Sequence, residues 1–298
     1  MQSDTASASL SFGGTTITVI GLYRYPIKSC AGIALTEARL EPRGIRHDRE
    51  LLIVDAATDR FLTQREAPRM ALIAPQIADG TLWAHAPGMA ELTLRLAEDG
   101  PTHEVGIWRD RCMAGDQGDE AAAWLSAFLE RPCRLVRMVP EFVRPVDPTY
   151  AAPGDQVGFA DGFPCLLIAE ESLADLNTRL GEPLPMNRFR PNIVIAGGAP
   201  FGEDRVGRLR IGHLAFAAPK SCARCTITVV DQATGEPGKE PLRTFATFRR
   251  AERGVMFGQN LIHAGVGTIR VGDRVVALEA KESDVDEHTA SLAGKVTH

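Results

Sequence analysis

The sequence predicts a β-rich α+β fold: two β-rich units with a few covering helices. Three observations predict it. Apolar residues alternate with a period near two in segment after segment, few stretches carry a helical period, and a proline-rich connection divides the chain near its middle. In the first third, TTITVIGLYRYPI (15–27), ALTEARLEP (34–42), RELLIVD (49–55) and ELTLRLAE (91–98) each read as strand, with turn signals between them. DEAAAWLSAFLE (119–130) predicts a helix, because Ala122, Leu125, Phe128 and Leu129 share a face and Pro132 follows the end. PEFVRPVDPTYAAPGDQ (140–156) has four prolines and little periodicity, and reads as the connection between the halves.

The second half predicts a helix at EESLADLNTRL (170–180), stopped by Gly181, and strands at NIVIAG, RLRIGHLAFAA, CTITVVD and GTIRVGDRVVAL. A short helix is expected to begin at Pro241 and to carry Leu242, Phe245 and Phe248 on a similar face. GTIRV-GD-RVVAL reads as a hairpin with a Gly-Asp turn. The tail after Ala280 is polar and expected to fray.

Composition bounds the function. A chain of 298 residues, 44% hydrophobic and 24% charged, can bury a sizeable core. Its apolar runs fall short of the roughly 18 residues of a membrane helix, which predicts no membrane partner. The start MQSDTASASLSFGG lacks the basic and apolar segments of an export signal, so a cytoplasmic protein is expected. A net charge of −5 with scattered basic residues argues against nucleic acid as a partner. The six cysteines are mostly far apart in a chain too large to need disulfides, and are expected to stay reduced.

The stretch PKSCARCTITVVD (219–231) holds the only closely spaced pair, Cys222 and Cys225. A structural zinc site needs four ligands, and neither the other cysteines nor the seven histidines supply a partner motif. A dithiol redox pair places its first cysteine at a helix N-terminus, whereas TITVVD favours strand. Two readings remain open: a single thiolate at the mouth of a strand, favoured by Lys220 and Arg224, or two small buried hydrophobes. The glycines of AGGAP and HAGVGTIRVG lack a following helix, which excludes a dinucleotide fingerprint, and no nucleophile elbow marks a hydrolase.

The run PKSCARCTITVVDQATGEPGKEPLRTF, with MFGQN (256–260) and GTIRVGD (267–273), resembles the core of the MOSC domain, named for the C-terminal part of molybdenum cofactor sulfurases. YPIKSCAG (25–32), GIRHDRELLIVD (44–55) and LTQREAPRMALI (62–73) resemble the β-barrel domain that precedes it. DQVGFADGFPCLLIAEESLADLNTRL and NRFRPNIVIAG complete a resemblance spanning about residues 15–280, nearest the amidoxime-reducing components of mitochondria and their bacterial relatives. It implies a β-barrel-like N-terminal domain over 15–139, a MOSC β-barrel domain over 140–280 and a polar tail over 281–298.

The resemblance further implies a molybdenum cofactor, Mo-molybdopterin, with Cys225 as metal ligand and Cys222 as bystander. It puts Lys28, Ser29 and Arg49 at phosphate-binding positions, and Arg190 and Asn192 at the pterin end. Arg224 and Asn260 are also implied to border the cofactor. Asp161 aligns with an acid near the metal that positions substrate or relays a proton. The sequence departs from the mitochondrial relatives at Gly162, Phe163 and Asn260. The implied activity is reduction of amidoximes, hydroxylamines and N-hydroxylated bases, with electrons from a separate partner (a reductase with a ferredoxin, flavodoxin or haem protein). Alternatives of the same resemblance are a cofactor carrier, or sulfur transfer of the sulfurase type, for which the chain shows no pyridoxal-phosphate domain.

Overall fold

The computed structural model describes residues 16–98 and 100–285. Its first part runs β1 (Ile17–Arg24), β2 (Ile33–Leu35), β3 (Glu37–Glu41), β4 (Gly44–Ile45), β5 (Leu51–Asp55), β6 (Ala74–Ala78), β7 (Thr81–His85), β8 (Leu92–Arg95), β9 (Thr102–Ile107), β10 (Asp110–Asp116), α1 (Asp119–Leu129) and β11 (Cys133–Met138). After an irregular stretch follow β12 (Cys165–Ala169), α2 (Glu170–Thr178), β13 (Ile193–Ala196), β14 (Val206–Ile211), β15 (Leu214–Ala223), α3 (Leu242–Phe248), β16 (Arg250–Ala251), β17 (Gly254–His263), β18 (Gly267–Arg270) and β19 (Arg274–Ala280).

Seven strands close into a ring in the order β12, β13, β1, β19, β14, β15, β17 and back to β12. Closure leaves these strands without a bare edge. Val19, Leu22, Leu167, Ile193, Ile195, Ile211, Phe216, Leu261 and Val275 fill its interior. Each fully buried side chain of this kind contributes about 1.5–3 kcal/mol. A register shift in β1 between Val19 and Gly21 turns both Val19 and Leu22 inward, which strict alternation would not allow.

The second body stacks two antiparallel sheets, β5-β11-β10-β9 and β6-β7-β8. Helix α1 forms where the sequence predicts, and its Leu125, Phe128 and Leu129 join a core with Ile53, Leu82 and Leu135. The division at residue 140 is not a division between sheets: β1 sits in the ring between β13 and β19, and β3 pairs with β18.

Three expectations are corrected. Strands β18 and β19 form no hairpin, because the Gly272-Asp273 pair bonds to β1 (Gly272 N to Val19 O, 2.8 Å; Val19 N to Asp273 O, 2.9 Å) and moves the chain from one sheet to the next. CTITVVD is not a strand. Thr228 offers both its N–H (3.1 Å) and its hydroxyl (2.9 Å) to Cys225 O, which winds Thr226–Val229 into one 3-10 turn, a local bond that competes with a ladder. The strand instead runs ahead of Cys225, as β15, and takes in Cys222. Residues Lys281–Val285 do not fray: Lys281 Nζ donates to Ala218 O (2.9 Å) and Gln259 Oε1 (2.8 Å), and Val285 is buried. The rest of the tail lies outside the described residues.

Candidate functional site

Three segments distant in sequence meet at one end of the barrel: Tyr25–Ser29 after β1, Asp48–Glu50 before β5, and Arg188–Asn192 before β13. The first two are tied to each other and to the start of β5. Arg49 N donates to Tyr25 O (2.7 Å), Tyr25 N to Asp48 Oδ1 (2.8 Å) and Lys28 N to Leu51 O (2.9 Å). Gly158 presses against this junction, where a Cβ would lie 2.9 Å from Arg49 O.

Ser29, Arg49 and Arg190 all hold left-handed backbone, with φ of 68°, 45° and 56°. Non-glycine residues adopt it at a cost of about 1 kcal/mol or more, and such strain clusters at functional sites. Here it aims two guanidiniums at one ring. Arg49 lies 4.1 Å and Arg190 4.3 Å from the centroid of the Tyr25 ring, whose hydroxyl donates to Pro191 O (3.0 Å).

The two arginines differ in their partners. Arg49 bonds Asp48 Oδ2 (2.7 Å), Asn192 Oδ1 (3.0 Å) and Arg190 O (3.2 Å). Burial, the largest single influence, opposes its charge, but Asp48 together with Tyr25 and Asp161 outweighs it and raises the pKa. Arg190 is buried and has no carboxylate at ion-pair distance among the described residues; its one polar side-chain contact is Gln232 Oε1 at 3.4 Å. Burial pushes its pKa down to about 10, assisted by repulsion from Arg49. A buried, unpaired guanidinium is costly unless an anion joins it.

Lys28 is buried, donates from Nζ to Phe159 O (2.8 Å) and pairs with Asp161. Burial pulls its pKa below the usual value, with Asp161 opposing. Asp161 is more than half exposed, and Trp108 Nε1 donates to its Oδ1 (3.2 Å). The crowded wall, the largest single influence, opposes its charge, yet the Lys28 ammonium with Arg65 and the Trp108 N–H outweighs it and holds the carboxyl well below the usual carboxylate range. Buried Arg144 anchors the loop below, donating to Gly158 O (2.8 Å) and Ala160 O (2.6 Å).

Cys222 and Cys225 are both half-buried. Arg224 was expected to favour the Cys225 thiolate; its Nη1 instead points at Cys222 Sγ (3.1 Å), while Nη2 caps Phe189 O (2.7 Å). Lys220 is likewise diverted, its ammonium 4.5 Å from the centroid of the Tyr150 ring. Burial raises the Cys222 thiol and Arg224 lowers it, leaving it above the usual value. Cys225 follows the end of β15 in extended backbone, at φ −116°, where its carbonyl is held by Thr228.

Lys28, Ser29, Arg49, Asp161, Arg190, Asn192, Arg224, Cys225 and Asn260 all line one cavity. Asn192 faces inward: its amide oxygen accepts from Arg49 and Leu166 N (3.2 Å), and its Nδ2 donates to Tyr23 O (3.2 Å), so it positions Arg49. Asn260 Nδ2 donates to Ser221 O (3.3 Å). Sequence reasoning missed Tyr25, Asp48, Trp108 and Thr228. For Asp48 the signal is its place beside Arg49 in HDRE; for Trp108 nothing local marks it.

The lining suits an anionic ligand. Among the described residues, Ser29 Oγ and Arg224 Nε are buried without a partner, and Arg190 has no counter-ion at ion-pair distance. Among the described residues no group of three or more His, Cys, Asp or Glu could hold a metal ion, so a metal held here would have to bring most of its own ligands. No helix among the described residues is long and apolar enough to cross a membrane.

A β-barrel protein with a cationic cradle beside a free thiol is the class that fold and site define, and comparison with known proteins makes it specific. The MOSC N-terminal beta barrel domain matches residues 16–132, and the MOSC domain matches residues 154–276. Mitochondrial amidoxime-reducing component 1 of Homo sapiens is 34% identical over 281 residues, 88% of this chain and 83% of that protein. Mitochondrial amidoxime reducing component 2 of Bos taurus is 34% identical over 282 residues, 87% of this chain and 82% of its own. A molybdenum cofactor sulfurase of Danio rerio is 33% identical over 278 residues, 84% of this chain but only 32% of its own length. The chain belongs to the amidoxime-reducing component family of MOSC-domain proteins.

Proposed function

We propose that this protein is a molybdenum-cofactor-dependent reductase of N-hydroxylated compounds, supplied with electrons by a separate redox protein. One observation carries the reading: a half-buried thiol, Cys225, shares a cavity with the unpaired guanidinium of Arg190 and the cations Lys28 and Arg49. Similarity to amidoxime-reducing components supports the activity.

Cys225 would be the protein's ligand to the metal, a soft sulfur suited to a metal on a sulfur-rich carrier. Lys28, Ser29 and Arg49 would hold the phosphate end, where charge-assisted and bidentate bonds are strongest, and Arg190 would face the pterin end. When bound, the cofactor would supply the two-electron couple that cleaves an N–O bond. Reduction of an N-hydroxyl group takes two electrons and two protons and releases water. Asp161 is ionised at neutral pH, so its part is to accept a hydrogen bond from the substrate and orient it, not to donate the proton. Lys28 carries the proton of that pair.

The test is elemental analysis of wild type beside Cys225→Ser and Cys222→Ser, followed by assay with benzamidoxime and an artificial donor. Molybdenum should be lost in the first variant and kept in the second. Equal retention in both rejects Cys225 as ligand; molybdenum-loaded protein that cannot reduce benzamidoxime rejects the activity. The similarity to sulfurases supports a second reading, sulfur transfer, which predicts a persulfide on Cys225.

A further inference from the structure

A second cavity, of about 770 Å³, borders the first, and Asp161 lines both. One wall is the tip of the β9–β10 hairpin, whose two loop residues are Trp108 and Arg109. Two-residue hairpin loops favour glycine, asparagine or aspartate because their backbone needs positive φ. Trp108 sits there with φ +53° and is 49% exposed, so a large aromatic occupies a position where a small turn residue would cost less.

The indole is nevertheless fixed. Arg65 lies 4.8 Å from its ring centroid, Phe61 meets it edge-on at 5.0 Å, and its N–H bonds Asp161. The charges around it do not balance. Arg131 pairs with Asp55 (3.0 Å), Arg144 with Asp110 (2.7 Å) and Asp161 with Lys28, while Glu66 is only 4.0 Å from Arg131. Arg60, Arg65 and Arg109 have no carboxylate at ion-pair distance among the described residues. A half-exposed indole, with Arg65 over its ring and Arg60 and Arg109 lining the same cavity without a carboxylate at ion-pair distance among the described residues, suits a planar ring that carries an anion.

We infer that this second cavity binds a nucleoside phosphate, with its base stacked on Trp108 and its phosphate on Arg60, Arg65 and Arg109. Its consequence rests on the proposed reductase reading: the substrates favoured would be N-hydroxylated bases in phosphorylated form, entering past Asp161. The shared wall at Asp161 would let one ligand reach both cavities. The same chemistry could come from a nucleotide appended to the pterin, and the test separates the two sources.

Holoenzyme is titrated by calorimetry with cytidine monophosphate, cytidine and inorganic phosphate, beside Trp108→Asn and Arg65→Gln. Asparagine tolerates left-handed backbone, so Trp108→Asn should keep the fold, checked by Tm. For a free ligand, the monophosphate should bind at least tenfold tighter than either of its halves. Trp108→Asn should weaken it roughly ten- to hundredfold, and Arg65→Gln should weaken it more than it weakens cytidine. For an appended nucleotide, denatured holoenzyme should release one nucleotide per molybdenum, and both variants should lower that ratio. Equal affinity for monophosphate and cytidine in holoenzyme that releases no nucleotide overturns the inference. So do variants that change neither binding nor the ratio. None of these readouts requires turnover, so a failure of the reductase reading would leave the result legible.

Discussion

Arg190 places its guanidinium 4.3 Å from the ring centroid of Tyr25, the same ring on which Arg49 rests at 4.1 Å. One aromatic ring thus serves two cations, of which, among the described residues, only Arg49 has a carboxylate partner, Asp48. Each such contact is worth about 0.5–2 kcal/mol when desolvated. Tyr25→Leu should therefore loosen both arginines and cut molybdenum retention in purified protein by roughly tenfold or more. Tyr25→Phe keeps the ring, loses only the hydroxyl bond to Pro191 O, and should cost about 1 kcal/mol of stability with retention intact.

Gly158 allows the site loop to touch the Arg49 backbone. A Cβ there would lie 2.9 Å from Arg49 O and 3.2 Å from Asp48 O, and backbone atoms yield poorly. Gly158→Ala should destabilise by about 1–3 kcal/mol and lower Tm by roughly 2–6 °C, with loss of the anion site. Thermal melts and metal content read the two effects separately.

Glu203 is buried, accepting from Ser172 Oγ (2.8 Å) and Ala169 N (3.2 Å). Burial first, and the neighbouring Asp204 second, push its pKa from 4.5 up to about 7. The folded state therefore holds this proton more tightly than the unfolded state. Its contribution to stability is fully present below pH 4.5 and declines as pH rises to about 7, by about 3 kcal/mol. Glu203→Gln should remove that slope, so the variant's Tm should gain on wild type between pH 5 and pH 8. A constant difference across that range would count against the assignment.

Arg224 donates to Cys222 Sγ at 3.1 Å and opposes the rise that burial imposes on this thiol. In a Cys225→Ser background, Arg224→Gln should leave Cys222 less ionised and slow its alkylation by iodoacetamide several-fold at pH 7.5. Unchanged alkylation would show that the contact carries no charge stabilisation.

The legible part of the fold was the part governed by local patterning. The face of α1 depends on spacing alone, and Leu125 is buried as that spacing requires; β1 keeps its alternation only up to the shift after Val19, and β5 is buried on both faces from Leu51 to Val54. The alternation of β18 and β19 was equally clear, but which strand each would pair with depends on Thr36 and Val19 far away in sequence. β17 reads poorly because it is buried through most of its length, with Gly258 at φ +81° within it. At the site, the cations and Cys225 could be named from ordered motifs, whereas Tyr25 gains its role only where two guanidiniums converge on it. Thr228 could have warned that CTITVVD would turn, since its hydroxyl competes locally for the Cys225 carbonyl. Trp108 had no signal, because its importance lies in facing Asp161 across a tertiary contact.

Because β1 lies between β13 and β19, the earliest described strand to leave the ribosome can pair early with β2 but must wait for nearly the last before its place in the ring is complete. Such long-range pairing is slow, and leaves apolar strand surface uncovered while synthesis proceeds. The nascent chain should therefore depend on chaperone shelter until β19 emerges, and the anion cradle that β1 leads into should assemble late, with the closing of the barrel.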